Sequence, residues 1–188
     1  GAGKSTIIRA VYAEMRGLGY SISHTSRAPR GQEQNGVDYH FVSPQEFEEM
    51  IRKKAFAEWA KVYRDFKGTS WKSLRAVLDR GLDVIMDVDI QGARNIKKQY
   101  PAGVSIFILP PSLEVLEARL RARATDEEAV IQSRIGQAQE EIRNSSFYDY
   151  LIINDRLEEA VAEAQSVIRA ERCRPSVRFP QIKERFGL

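Results

Sequence analysis

Gly1-Ala2-Gly3-Lys4-Ser5-Thr6, running into the apolar series Ile7, Ile8, Val11, Tyr12 and Met15, decides how the rest of the chain is read. Glycines let backbone N–H groups come close to an anion, and the positive end of a helix that starts directly after them favours negative charge. The spacing matches the right-hand part of G-x-x-x-x-G-K-[ST], whose first glycine would stand three residues before Gly1, after a buried strand. The apolar series has helical spacing from Lys4 to Met15, and Gly17 and Gly19 supply the stop. In such a motif Gly1, Ala2, Gly3, Lys4, Ser5 and Thr6 surround phosphate, Lys4 reaches the β- and γ-phosphates, and the Ser5 hydroxyl ligates Mg²⁺. The motif is common to kinases, ATPases and GTPases, so it leaves the reaction open.

Outward from this start, strand and helix patterns alternate. Tyr20 to Thr25 and Val37 to Val42 read as strands around a polar loop from Arg27 to Gly36. Ser43, Pro44 and Glu46 form a capping box with proline at the first helical position, and Phe47, Met50 and Ile51 give that helix its buried face. A strand over Ala55 to Val62 leads through Gly68 into a helix near Ser70 to Asp79, and Asp83 to Asp87 carries the apolar run of a buried strand. Val104 to Leu109 repeats that pattern before a helix from Ser112. Thr125 with Glu128 makes a second capping box, and Tyr150 to Ile153 is the last strand. A closing helix spans Leu157 to Ala170, and the tail after Arg172 has no clear period. The pattern predicts an α/β protein: a parallel sheet flanked by helices, interrupted between Tyr20 and Val62 by an inserted β-rich lobe.

Bulk properties narrow the classes. At 188 residues one domain is expected, and a 43% hydrophobic, 29% charged composition is ordinary for a globular protein. No apolar run approaches the roughly 20 residues of a membrane span. The formal charge of +3 is too small to imply nucleic acid as a partner. A single cysteine, Cys173, excludes an internal disulfide, and two histidines give no zinc-like cluster, so a reducing, cytoplasmic setting is expected. The sequence starts at Gly1 without an initiator methionine, so the true N-terminus is expected upstream of Gly1.

Ser21-Ile22-Ser23-His24-Thr25-Ser26-Arg27-Ala28-Pro29-Arg30, continuing to Gly36-Val37-Asp38-Tyr39-His40-Phe41-Val42-Ser43, closely resembles the GMP-binding signature of guanylate kinases. Agreement continues through Glu58-Trp59-Ala60, Gly68-Thr69-Ser70, Asp87-Val88-Asp89-Ile90-Gln91-Gly92 and the arginine-rich stretch from Arg119 to Asp126. The resemblance implies a P-loop nucleoside monophosphate kinase that moves the γ-phosphoryl of ATP to GMP with Mg²⁺. It implies a core of residues 1–19, 68–118 and 135–188, a GMP-binding lobe of about 20–67 and a helical lid of about 119–134.

The chemistry of GMP fits the residues that carry the resemblance. Its phosphate offers planar sets of acceptors for guanidinium forks and a phenol, which Arg27, Arg30 and Tyr39 supply. Guanine presents N1–H and N2–H₂ donors beside an O6 acceptor, calling for a carboxylate and a hydroxyl; Glu58, Ser23 and Thr69 match those family positions. Period-two alternation places Asp87 and Asp89 on one side of their strand. By resemblance Asp89 helps hold the base and Asp87 lies near the metal, and an N-cap role is compatible with either. Arg119, Arg123 and Arg134 match arginines that stabilise charge during transfer. Asn154 with Asp155 either forms the adenine-side loop or caps the closing helix. His24 and His40 receive no catalytic role, and Trp59 and Trp71 are expected to be packing anchors.

Two positions depart from the family. A tyrosine is usual where this chain has Lys67, which either replaces the phenol as a point charge on the GMP phosphate or points to water. The lid's usual glycine is Ala124. Two other readings belong beside the kinase: an inactive guanylate-kinase-like module that binds proteins, and a sugar-phosphate kinase on the same fold. Intact Gly3-Lys4-Ser5 argues against the first, and Glu58 with Thr69 against the second.

Overall fold

The structure, a computed structural model, describes residues 2–62, 64–122 and 128–188. Helix α1 (Lys4–Glu14) begins at Gly3, which has a left-handed φ of 86°. Its buried stripe is Ile7 and Val11, closed by Met15, whereas Tyr12 of the expected stripe is exposed. Strand β1 (Leu18–Ser21) follows and pairs in parallel with a later strand, Asp83–Met86. Another parallel pair is formed by Ile106–Leu109 and Tyr150–Ile153, in register Ile106 to Tyr150. These pairs share one core: Ile7, Val11, Met15 and Leu18 pack with Ile108, Ile152 and with Ala160, Val161 and Ala164 of the helix Leu157–Glu171. The parallel α/β expectation therefore holds. The run at 84–86 is only half-buried, and the described residues form two separate two-stranded ladders rather than one sheet.

The inserted lobe is a four-stranded sheet built differently from the expected one. Residues 20–25 do not form one strand: β1 ends at Ser21, and β2 (His24–Thr25) joins the second sheet. The expected strand from Val37 shrinks to β3 (His40–Phe41), with Val37 exposed in the turn before it. After α2 (Pro44–Arg52) come β4 (Phe56–Val62) and an unexpected strand, β5 (Asp65–Ser70), giving the order β3-β2-β5-β4. Gly68 reads as a breaker in sequence but is needed within β5. A Cβ there would meet the Glu58 carbonyl oxygen and Trp59 Cβ, both at 2.8 Å. Close backbone approach of this kind is a recognised reason for glycine in a strand.

The capping box on α2 forms as expected: Ser43 Oγ accepts from the Glu46 amide at 3.1 Å, and Glu46 Oε2 from the Ser43 amide at 2.7 Å. Phe47, fully buried, stacks on Phe56 and Phe66 with ring centroids 4.4 and 5.2 Å away, which makes the lobe's small core. Trp59, expected to anchor packing, is 40% exposed and only edges against Phe66. Arg9 on α1 pairs with Asp38 just ahead of β3, tying the inserted lobe to the first helix.

The remaining elements are α3 (Trp71–Leu78), β6 (Asp83–Met86), α4 (Ile90–Gln99), β7 (Ile106–Leu109), α5 (Leu113–Ala122), α6 (Glu128–Arg143), β8 (Tyr150–Ile153), α7 (Leu157–Glu171) and α8 (Pro175–Phe186). Helices α5 and α6 meet through their own cluster of Leu116, Leu120 and Ile131. Thr125, the expected cap of α6, lies outside the described residues. The tail forms α8 although its sequence shows no period. Among its residues none is buried, so no apolar stripe was required to place it. No described helix is long and apolar enough to cross a membrane.

Candidate active site

The N-terminus of α1 is open. Gly3 supplies no side-chain cap, no acidic residue stands in the first turn, and Lys4, Ser5 and Thr6 are exposed around it. The exposed N–H groups of such a helix start, together with its positive dipole end, favour an anion. Gly3 is needed there for space as well as for its φ, since a Cβ would fall 2.2 Å from Asn154 Nδ2. Asn154 is buried and donates from Nδ2 to the Ala2 carbonyl at 2.8 Å. Its own carbonyl accepts from Arg119 Nη1 at 3.0 Å. Asn154 is therefore not the cap of α7, whose N-cap is Arg156; it fastens the loop after β8 to the phosphate-loop backbone. Gly1 and Arg123 lie outside the described residues.

Asp87 and Asp89 do not alternate along a strand as expected, because β6 ends at Met86 and each serves a different cluster. Asp89 is the N-cap of α4, its Oδ1 accepting from the Gly92 amide at 2.8 Å. Asp87 is buried with Oδ2 3.8 Å from Lys67 Nζ, while its Oδ1 has no hydrogen-bond partner. Burial pushes the Asp87 carboxyl up, but the charges of Lys67 and then Lys4 outweigh it and hold the group ionised, below its usual range. Lys67 does not point to water: its side chain is 18% exposed, and its ammonium also lies 5.3 Å from the Tyr39 ring centroid.

Antiparallel pairing of β4 with β5 sets Glu58 opposite Thr69, and β2 brings in Ser23 just before it. Ser23 Oγ and Thr69 Oγ1 are 3.4 Å apart, and all three residues are buried. Burial raises the Glu58 pKa to about 7, against the lowering effect of its hydrogen bonds to Thr69; the Asp89 charge adds to the rise. A buried carboxylate flanked by hydroxyls suits a ligand edge that presents two N–H donors and an acceptor.

Arg27 is bound bidentately by Glu33, at 2.6 and 2.7 Å, and its guanidinium lies 5.0 Å from the Tyr39 ring centroid. Glu33 also accepts from the Arg30 amide at 2.8 Å, with the Arg30 side chain exposed. Glu33 is thus an internal anion on the Arg27 fork, and sequence reading missed it; its only signal was an acid three residues after Arg30. Glu141 on α6 was missed as well. Burial raises its pKa, and it lies within electrostatic reach of Lys4, Asp89 and Arg134. The rings of His24 and His40 lie 4.6 Å apart, tilted by 36°, and burial, then His40, lowers His24 to about 4, which keeps it neutral.

A glycine-led helix start able to take an anion thus stands on the parallel core, and a buried carboxyl beside two hydroxyls stands in a second sheet. Comparison with known proteins narrows this. The guanylate kinase family model matches residues 1–171. A guanylate kinase of Geobacter metallireducens is 46% identical over 188 residues, all of this chain and 93% of that protein. One of Carboxydothermus hydrogenoformans is 50% identical over 175 residues, 93% of this chain and 86% of that protein. The crystal structure of guanylate kinase from Anaplasma phagocytophilum superposes with a TM-score of 0.79 at 31% identity, covering 97% of this chain and 90% of that one. The chain belongs to the guanylate kinase family.

Proposed function

We propose that the protein, in the cytoplasm, transfers the γ-phosphoryl group of ATP to the phosphate of GMP, giving ADP and GDP. A GMP phosphate oxygen attacks the γ-phosphorus as the bond to the ADP oxygen breaks, so the protein's work is alignment and charge neutralisation. Gly1 to Thr6 and Asn154 take the donor side, with Lys4, Arg119, Arg123 and Arg134 stabilising the charge on the transferring group. Arg27, Arg30, Tyr39 and Lys67 hold the acceptor phosphate, which displaces Glu33 from Arg27. Ser23, Glu58, Thr69 and Asp89 select the guanine. Residues 20–67 act as the acceptor lobe and 119–134 as the lid over a core of 1–19, 68–118 and 135–188.

Phosphoryl transfer in this family needs a divalent metal, and the residues present fit one. Asp87 Oδ1 is a buried, ionised acceptor without a partner, and no group of three or more His, Cys, Asp or Glu competes as a metal site among the described residues. A lone carboxylate and a hydroxyl, completed by phosphate oxygens and water, suit Mg²⁺ better than metals needing an all-protein cage. Asp87 and Ser5 would hold Mg²⁺, which when bound neutralises phosphate charge.

The observation that carries the reading is the buried Glu58 between Ser23, Thr69 and Asp89 in a lobe separate from Gly3-Lys4-Ser5. Purified protein with ATP, Mg²⁺ and each of GMP, AMP, CMP and UMP in an ADP-coupled assay tests it. ADP formation selective for GMP is expected; no turnover with any of the four refutes it.

A further inference from the structure

Helix α4 reaches Glu58 at a position where the side chain is missing. A Cβ at Gly92 would stand 2.6 Å from Glu58 Oε2 and 3.2 Å from its Cδ, with Val88 Cβ also at 3.2 Å. Gly92 is buried in the first turn of α4, and its amide donates to Asp89 Oδ1 at 2.8 Å. Its backbone is not in the left-handed region, so conformation does not call for glycine. Alanine is the better helix former in a helix interior, so propensity does not call for it either. The nearest obstacle to a methyl group there is the carboxylate of Glu58.

We propose that Gly92 is a positioning residue for guanine selection: by omitting its Cβ it lets the α4 start close on β4 while leaving the Glu58 carboxylate where Thr69 and the acceptor base meet it. This rests on the reading of Glu58 as the base ligand. The intruding methyl would meet the movable end of a side chain, not backbone, so the fold can accept it by swinging the carboxylate aside. That movement is selective in its effect. The guanine N1–H and N2–H₂ donate to one carboxylate group, so moving it weakens both bonds at once, while the Gly3-Lys4-Ser5 end is untouched.

The test compares Gly92→Ala and Glu58→Gln with the parent. It measures kcat and KM for GMP, for inosine monophosphate (which lacks the N2 amine) and for ATP, together with thermal unfolding. Gly92→Ala is expected to raise the GMP KM about tenfold and to lower the GMP-over-IMP preference toward that of Glu58→Gln, with the ATP KM within about twofold. A parental GMP KM and GMP-over-IMP preference in Gly92→Ala overturns the inference, provided Glu58→Gln has lost that preference. If Glu58→Gln keeps it, the base-ligand reading has failed and the inference falls with it. Should Gly92→Ala not fold, Gly92→Ala/Glu58→Ala decides: recovery of folding shows that the clash is with Glu58, and continued failure places it at Val88 and refutes the proposal.

Discussion

Glu58 should release a proton when GMP binds, and the size of the effect follows from its surroundings. Burial lifts its pKa from 4.5 to about 7 in the substrate-free protein. At pH 7 about half of the molecules therefore carry a neutral carboxyl. Guanine's N1–H and N2–H₂ together need an acceptor on each carboxyl oxygen, and a protonated carboxyl turns one of them into a donor, so binding selects the ionised form and pulls the pKa down. About half a proton per site should leave at pH 7 and almost none at pH 8.5. For the same reason GMP affinity is reduced about elevenfold at pH 6 and about twofold at pH 7, so the GMP KM should fall about fivefold between them and level off by pH 8.

Stability changes with pH in the opposite direction to GMP affinity. A carboxyl whose folded pKa lies above its unfolded value favours the fold below pH 4.5, and that advantage is lost as pH rises through about 7, by about 3 kcal/mol. Calorimetric titration with GMP in two buffers of different ionisation enthalpy counts the protons. Glu58→Gln, measured in the same way, subtracts the contribution of the GMP phosphate itself, whose second pKa is about 6. A proton count equal to that of Glu58→Gln, with a GMP KM flat from pH 6 to 8, would refute the reasoning.

Lys67→Gln leaves Asp87 buried without its partner and should lower stability by about 3 kcal/mol in chemical denaturation while raising the GMP KM about tenfold; adding Asp87→Asn should restore stability but not activity. Asn154→Ala removes the bond to the Ala2 carbonyl and should cost about 1–2 kcal/mol, with the ATP KM rising more than the GMP KM in steady-state assays. Lys4→Met should lower kcat at least about a hundredfold while GMP affinity, measured by calorimetry, stays unchanged.

Elements dictated by neighbours in sequence were legible. Helix α1 has its glycine start and apolar spacing written in consecutive residues, and the α2 capping box forms between Ser43 and Glu46 as the spacing requires. Features that depend on a distant partner were not. Strand β5 looked like a loop because Gly68 weakens a strand pattern, yet the glycine is what lets β4 approach. Asp87 and Asp89 read as one alternating pair until the chain was seen to leave β6 at Met86. Helix α8 left no signal because it buries nothing.

The sequence by itself determined the phosphate loop and its helix, the parallel α/β layer, and the family through the run from Ser21 to Ser43, since each is carried by local spacing and backbone chemistry. Only the tertiary structure decided that Lys67 turns inward to Asp87, that Glu33 holds Arg27, and that Gly92 makes room for Glu58. Those outcomes depend on which charges and atoms share a desolvated space, and that is set by how β5, the loop before β3 and α4 pack on their neighbours rather than by any residue's place in the chain.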